Sequence, residues 1–148
     1  MILVDFPSYD FKVQSISGKD QIFDPCRKKW VVLTPEEWVR QNILQYLIQV
    51  CKYPIKLIAI EKTIQLGTLN KRFDILVYQG TTPWMIIECK EANTPLNEKT
   101  ILQLLQYQQV LNATYLIASN GPTTIGAEIK MGNLHMLQKF PNYIDPHL

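Results

Sequence analysis

Asp74, Glu88 and Lys90 are the residues of this 148-residue sequence whose types and spacing point to chemistry. Asp74 stands inside an otherwise apolar run, Phe73-Asp74-Ile75-Leu76-Val77. Fourteen residues on, Glu88-Cys89-Lys90 closes Trp84-Met85-Ile86-Ile87, the most hydrophobic strand signal in the chain. An ionised carboxylate in a buried strand is costly unless it is paired or bound to a metal, and two of them on adjacent strands repel each other without a cation. A hard divalent ion answers both problems, because Mg²⁺ takes one or two carboxylates together with waters and substrate phosphate oxygens. In a strand, positions i and i+2 share a face, so Glu88 and Lys90 project into one site. Such a set suits phosphodiester hydrolysis: the metal polarises the phosphate and lowers the pKa of a bound water, and the ammonium stabilises developing charge or orients that water. The plain alternative is an Asp74–Lys90 ion pair at the sheet edge, since structural ion pairs also sit on strands.

The elements that must position these residues can be read from the pattern. Thr34-Pro35-Glu36-Glu37 is a helix start, with Thr34 as cap, Pro35 at the first helical position and Glu37 in capping-box register. Val39, Ile43, Tyr46, Leu47 and Val50 then recur at helical spacing, which predicts a helix over residues 35–50. Glu36 falls on that sheet-facing stripe and is favoured over Glu37 as a functional acid, Glu37 having the capping role. Arg40 is one turn from Glu36 and within reach of pairing with it. Strand signals follow at residues 55–66, 72–78 and 84–89, with turns at Gly67-Thr68-Leu69-Asn70 and at residues 79–83. A second helix is expected from after Thr94-Pro95 to about Leu111, and Gln103 and Tyr107 are i, i+4 neighbours on it. A strand over residues 113–118 and two weaker signals over 125–131 and 134–137 complete the order. Residues 1–33 read as a β-rich lead-in with a turn at residues 17–20. A helix between the third and fourth core strands implies a mixed sheet with helices against it.

Composition bounds the rest. The length suits one domain spanning residues 1–148, and 47% hydrophobic with 19% charged residues can build a sizeable core. A net charge of +2 permits nucleic-acid binding without arguing for it. The dense basic run Arg27-Lys28-Lys29 reads as a solvated turn. No phosphate-binding G-x-x-x-x-G-K-[ST] loop appears, which disfavours an ATP-driven activity of that kind. Cys26, Cys51 and Cys89 are odd in number and lack metal spacing, as for reduced thiols in a cytoplasm. The N-terminus has no signal-peptide pattern, and no run approaches the roughly 20 apolar residues that cross a bilayer, so a cytoplasmic protein is expected. His135 reads as a structural histidine in an apolar setting rather than a general base.

Asp74 followed by Glu88-Cys89-Lys90, with an acidic helix before them, resembles the PD-(D/E)XK nuclease superfamily. More narrowly, residues 34–41, Arg72-Phe73-Asp74, Glu88-Cys89-Lys90 and Gln103-x-x-x-Tyr107 resemble the N-terminal nuclease domain of type I restriction enzyme R subunits, over about residues 20–121. The resemblance implies an α/β fold with a restriction-endonuclease-like αβββαβ core, a mixed central β-sheet flanked by helices, and Mg²⁺-dependent DNA endonuclease activity, with Mn²⁺ as a substitute. It implies metal binding by Asp74, Glu88 and the Cys89 carbonyl, catalysis by Lys90 with help from Glu36, and placement of Gln103, Tyr107 and Arg40 beside DNA. Phe73 replaces the motif's proline. The translocase motor of an R subunit is absent, so the implied partners are DNA and the motor, specificity or methylation subunits of a restriction system. The alternative is a non-catalytic nucleic-acid-binding or assembly module on the same fold.

Overall fold

A computed structural model describes residues 1–147. Two sheets form. The smaller contains β1 (Val13–Ile16), β2 (Lys19–Asp24) and β3 (Lys29–Val32) in antiparallel order. Its first hairpin turns at Ser17-Gly18, both at positive φ, tighter than the four-residue turn expected.

The larger sheet follows α1 (Pro35–Gln49) and holds β4 (Ile58–Leu66), β5 (Leu69–Gln79), β6 (Thr82–Cys89), β7 (Tyr115–Ser119), β8 (Thr124–Lys130) and β9 (Asn133–Met136), in that spatial order. β6 and β7 are parallel and are joined through α2 (Glu98–Leu111); the other pairs are antiparallel, so the sheet is mixed as expected. The αβββαβ order is that of a restriction-endonuclease-like core.

Local chemistry sets the helix ends. Thr34 is extended and its Oγ1 accepts from the Glu37 amide at 3.0 Å, with Pro35 at the first helical position. α2 begins at Glu98 rather than just after Pro95, because Asn97 is the better cap: its side chain accepts from the Lys99 amide, and Thr100 reciprocates toward the Asn97 amide. Asn112 ends the helix in the left-handed conformation. The β4–β5 turn is shorter than expected. Leu66 pairs with Leu69, so Leu69 and Asn70 belong to β5 and the hairpin is longer than its sequence suggests.

The two helices cover opposite faces of the sheet. Ile75, Val77, Met85, Ile87 and Cys89 pack with Val39, Ile43, Leu44 and Leu47 of α1. Leu76, Ile86, Leu116 and Ala118 pack with Leu104 and Tyr107 of α2. β6 is buried on both sides, which accounts for its unbroken apolar run. Val50, assigned to the apolar stripe by its spacing, is exposed where α1 ends, and Leu44 is buried instead. α1 buries a wider arc than a simple stripe because β2 contacts it too, the Gln41 amide donating to Asp24 at 3.0 Å.

Candidate active site

The site lies where β5 and β6 part. Their ladder runs from the turn as far as Ile75↔Ile87. One step further, the Asp74 side chain takes over from the backbone, its Oδ2 accepting the Cys89 amide at 2.8 Å. Phe73 lies in the α2-side core and Ile75 in the α1-side core, so strict alternation breaks at Asp74. Glu61, on β4 beside this point, has φ +50°, an uncommon conformation for a non-glycine residue in a strand. The irregularity gathers acidic groups at the end of the central strands.

Glu88 is held against its charge. Burial pushes its carboxyl up to about 8, the negative charge of Asp74 adds to the rise, and Lys90 opposes it. Asp74 and Glu88 therefore sit close enough to perturb each other, on neighbouring strands, with the Lys90 ammonium 3.5 Å from Glu88 Oε1. The Asp74–Lys90 pair weighed as the plain alternative does not form among the described residues. Asp74 Oδ1 pairs with Arg40 Nη2 at 2.8 Å, and Lys90 pairs with Glu88.

Arg40 is turned inward. Its other terminal nitrogen, Nη1, lies 2.7 Å from Glu37 Oε1, and Nη2 approaches Glu61 at 3.5 Å. Burial works against its charge, but Asp74 and Glu37 outweigh that and hold the guanidinium protonated more firmly than usual. With 5% of its side chain exposed, it contacts carboxylates of this chain and pairs with Glu37 rather than Glu36. Glu37, not Glu36, is the buried glutamate of α1. Its carboxylate bonds Arg27, Arg40 and Gln41, so the cap at Thr34 is one-sided: Thr34 receives the Glu37 amide while the Glu37 side chain is committed elsewhere.

Glu36 instead stands at the rim. It shares an open cleft of about 340 Å³ with Thr34, Pro35, Lys90, Glu91 and Thr94, and a second cleft with Arg27, Arg40 and Glu61. Burial raises its carboxyl above the ordinary range, Asp74 and Glu61 add to the rise, and Arg40 and Lys90 pull it back. It therefore lies within electrostatic reach of both Asp74 and Lys90.

Sequence reasoning missed a partly buried charge ladder behind the site. Arg27 is not a solvated turn residue: its guanidinium contacts Asp24 at 2.6 Å, Glu37 at 2.7 Å and Glu61 at 3.2 Å. Two guanidiniums, of Arg27 and Arg40, thus face four carboxylates, of Asp24, Glu37, Glu61 and Asp74, and the ladder has excess negative charge before Glu88 and Glu36 are added. The available signal was Asp24-Pro25, a turn pair: Asp24 Oδ1 accepts the amides of Cys26 and Arg27, which aims the Arg27 side chain back at Asp24 Oδ2.

Gln103 and Tyr107 are bonded to each other, the Gln103 amide donating to the Tyr107 hydroxyl at 2.6 Å. The Tyr107 ring lies edge-on to Phe73 at 4.8 Å, and the Lys71 ammonium is 5.9 Å above it. The pair thus reaches the site from the Asp74 side, through Phe73. His135 is exposed on β9 opposite Glu128, not in an apolar setting. Cys26, Cys51 and Cys89 are free thiols. Among the described residues, no helix is long and apolar enough to cross a membrane.

As metal donors the site offers the Asp74 and Glu88 carboxylates and main-chain carbonyls such as that of Cys89. No group of three or more His, Cys, Asp and Glu side chains is gathered for a metal among the described residues. A hard ion here would complete its shell with backbone oxygen, water or phosphate, the coordination Mg²⁺ favours. Each carboxylate oxygen has more than one acceptor site, so the contacts of Asp74 to Arg40 and Cys89 leave it able to ligate.

The fold and the acidic, lysine-bearing strand ends define a restriction-endonuclease-like α/β domain. Residues 35–141 match the profile of the type I restriction enzyme R protein N terminus, and the chain belongs to that family. Among solved structures, it is similar to a fragment from Vibrio vulnificus YJ016 described as an HsdR subunit of a type I restriction enzyme, at 22% identity and a TM-score of 0.44, over 57% of this chain and 19% of that one. No curated protein matches the sequence.

Proposed function

We propose that this domain is a Mg²⁺-dependent DNA endonuclease of the PD-(D/E)XK kind, hydrolysing phosphodiester bonds. The observation that carries the reading is the pairing of Asp74 with a Glu88 whose carboxyl is pushed up to about 8, beside the Lys90 ammonium. Structural carboxylates of this burial are ordinarily paired to cations, and here Glu88 has one ammonium at 3.5 Å, in a cluster whose carboxylates outnumber the guanidiniums of Arg27 and Arg40.

In this reading Asp74, Glu88 and the Cys89 carbonyl hold Mg²⁺, which when bound supplies a Lewis acid and a water of lowered pKa. Asp74 is held for that role by Arg40 and by the Cys89 amide. Lys90 lies along the same strand face as Glu88 and donates to the non-bridging phosphate oxygen as charge builds on it. Glu36, at the rim with a raised carboxyl, accepts the proton of the attacking water. Gln103 and Tyr107 support the strand segment that carries Asp74 and face DNA.

The test is cleavage of supercoiled and linear DNA by the purified protein with Mg²⁺, Mn²⁺ or EDTA, wild type against Lys90→Ala. The expected result is cutting that needs Mg²⁺ or Mn²⁺ and falls by about 10²-fold or more in the variant. Equal cutting by both proteins, or cutting in EDTA, overturns the mechanism.

One observation favours a second reading, a non-catalytic nucleic-acid-binding or assembly module: Arg40 already satisfies Asp74, and Lys90 already pairs with Glu88. That reading predicts no binding of Mn²⁺ to the protein and no effect of Asp74→Asn on it.

A further inference from the structure

We infer that the outer half of the β4–β5 hairpin, residues 62–73, is a ribbon that holds duplex DNA against the acidic strand ends. The inference rests on the DNA reading above but not on turnover.

Three observations carry it. The first is topology. β5 pairs with β6 only from Ile75 toward the turn at Gly80, while β4 and β5 go on pairing from Lys62↔Phe73 to Leu66↔Leu69. The hairpin therefore runs past the sheet as a two-stranded ribbon. The second is charge. Residues 62–73 include Lys62, Lys71 and Arg72 and no acidic residue, whereas Glu61 and Asp74 stand at the ribbon's root. The third is exposure. Lys62, Thr63, Gln65, Leu69, Asn70 and Arg72 are exposed, the Arg72 side chain by 68%. With these residues exposed, the ribbon gains its order from pairing and from its anchor, the contact of Phe73 with Tyr107.

The geometry suits a groove. Four residue steps separate the root pair from the tip pair, roughly 13 Å at 3.3 Å per residue. The major groove of B-DNA, about 12 Å wide and 8.5 Å deep, admits a two-stranded ribbon. Cross-strand partners share a face, so Lys62 and Lys71 lie on the side of Phe73, and Arg72 lies on the other beside Glu61, at 3.8 Å. Cations on both faces match a groove with a phosphate backbone on each side. Arg72 is only loosely held by Glu61, and Lys71 rests over the Tyr107 ring, so both heads can turn to phosphate without breaking a buried contact. Lys and Arg on an exposed ribbon also discourage pairing with other chains, and the experiment separates the two roles.

The experiment measures binding of the whole chain to a fluorescent 20-base-pair DNA duplex by anisotropy between 50 and 200 mM KCl, in EDTA so that cleavage does not enter. Lys62→Gln, Lys71→Gln and Arg72→Gln are tested singly and together, with Lys19→Gln, an exposed lysine of the small sheet, as control. The triple variant is expected to bind at least about 10-fold more weakly at 100 mM KCl. Its log K against log[salt] slope should be shallower by about 2–3, from a loss of roughly 0.9 per phosphate contact. Each single variant should show part of that change and an unaltered thermal midpoint, which keeps the test open if the triple variant folds poorly. Binding by the triple variant equal to wild type, an equal loss in Lys19→Gln, equally tight binding of an A-form RNA duplex, or no binding of DNA by wild type would each overturn the inference. Ribbon-dependent binding without Mg²⁺-dependent cleavage would uphold it and remove the endonuclease reading instead.

Discussion

Asp74 meets its cation across the sheet face: its Oδ1 lies 2.8 Å from Nη2 of Arg40, a residue of α1 with little exposed surface. The same guanidinium bonds Glu37 at 2.7 Å. One side chain thus ties the first helix to the strand that carries the proposed metal ligand. Replacing Arg40 with Met should leave Glu37 and Asp74 short of a buried counter-charge and destabilise the fold by about 3–5 kcal/mol. Arg40→Lys should recover only part of that, because a point charge does not span both carboxylates as a planar fork does. Urea unfolding measures both, and a loss under about 1 kcal/mol in Arg40→Met would deny Arg40 this linking role.

The pH dependence of stability reports on Glu88. Its carboxyl titrates at about 8 in the folded chain against an ordinary 4.5. Between those values the folded chain keeps a proton that the unfolded chain releases, so metal-free stability should fall as pH rises from about 5 to about 8 and level off above. Glu36 is shifted the same way and adds to the slope, so the Glu88 share is the difference between wild type and Glu88→Gln. The variant should show the shallower curve and a higher midpoint at pH 8.5, by about 2–4 °C per kcal/mol recovered. Saturating Mg²⁺ should flatten the wild-type slope alone, since ligation needs the deprotonated carboxylate. Superimposable curves for the two proteins in EDTA would contradict the assignment.

Glu36 and Glu37 should separate by kind of effect. Glu37→Gln weakens bonds to Arg27, Arg40 and Gln41 and should cost about 1–3 kcal/mol in stability. Glu36→Gln, at the rim, should leave the midpoint within about 0.5 kcal/mol and lower cleavage on the order of 10²-fold. Thermal melts and cleavage rates on the same preparations decide it. The opposite assignment would hold if Glu37→Gln kept full stability while losing activity.

Tyr107 offers a graded test of the α2 contact. Tyr107→Phe keeps the ring against Phe73 and beneath Lys71 but loses the Gln103 bond, at a cost of about 1 kcal/mol. Tyr107→Leu loses the aromatic contacts as well and should cost more. If both variants unfold at the wild-type midpoint, the ring does not anchor the hairpin root.

Much of this architecture was legible because its signals are local. The cap at Thr34, the periodic apolar stripe of α1 and the unbroken run of β6 each follow from a few adjacent residues. The length of the β4–β5 hairpin was not, since Leu69 and Asn70 read as turn residues until Leu66↔Leu69 pairing is seen. Strand parity places Glu88 and Lys90 on one face, and the apolar runs around Asp74 and before Glu88 mark both as strand carboxylates, but their partners are not legible there. Arg40, one turn from Glu36, is bonded instead to Glu37 and Asp74, on an α1 that has a second contact, with Asp24 on β2. That contact joins residues far apart in sequence, and no local pattern encodes it. Arg27 is hidden only in part: the Asp24-Pro25 turn beside it is a local signal, whereas its contacts with Glu37 and Glu61 exist only once the fold is assembled.

The family match begins at residue 35, but the counter-charges of α1 begin earlier in the chain. A fragment trimmed to that boundary would keep both helices and the six-stranded sheet while discarding Asp24 and Arg27. Glu37 would be left to Arg40 and Gln41, and Glu61 would lose its contact at 3.2 Å. The small sheet therefore works as a brace for the electrostatics of its neighbour, through contacts that lie upstream of the family match. Amide exchange in α1 of such a trimmed fragment should quicken first in its opening turns, around Glu37, and last at Leu47, where the apolar core alone sets the protection.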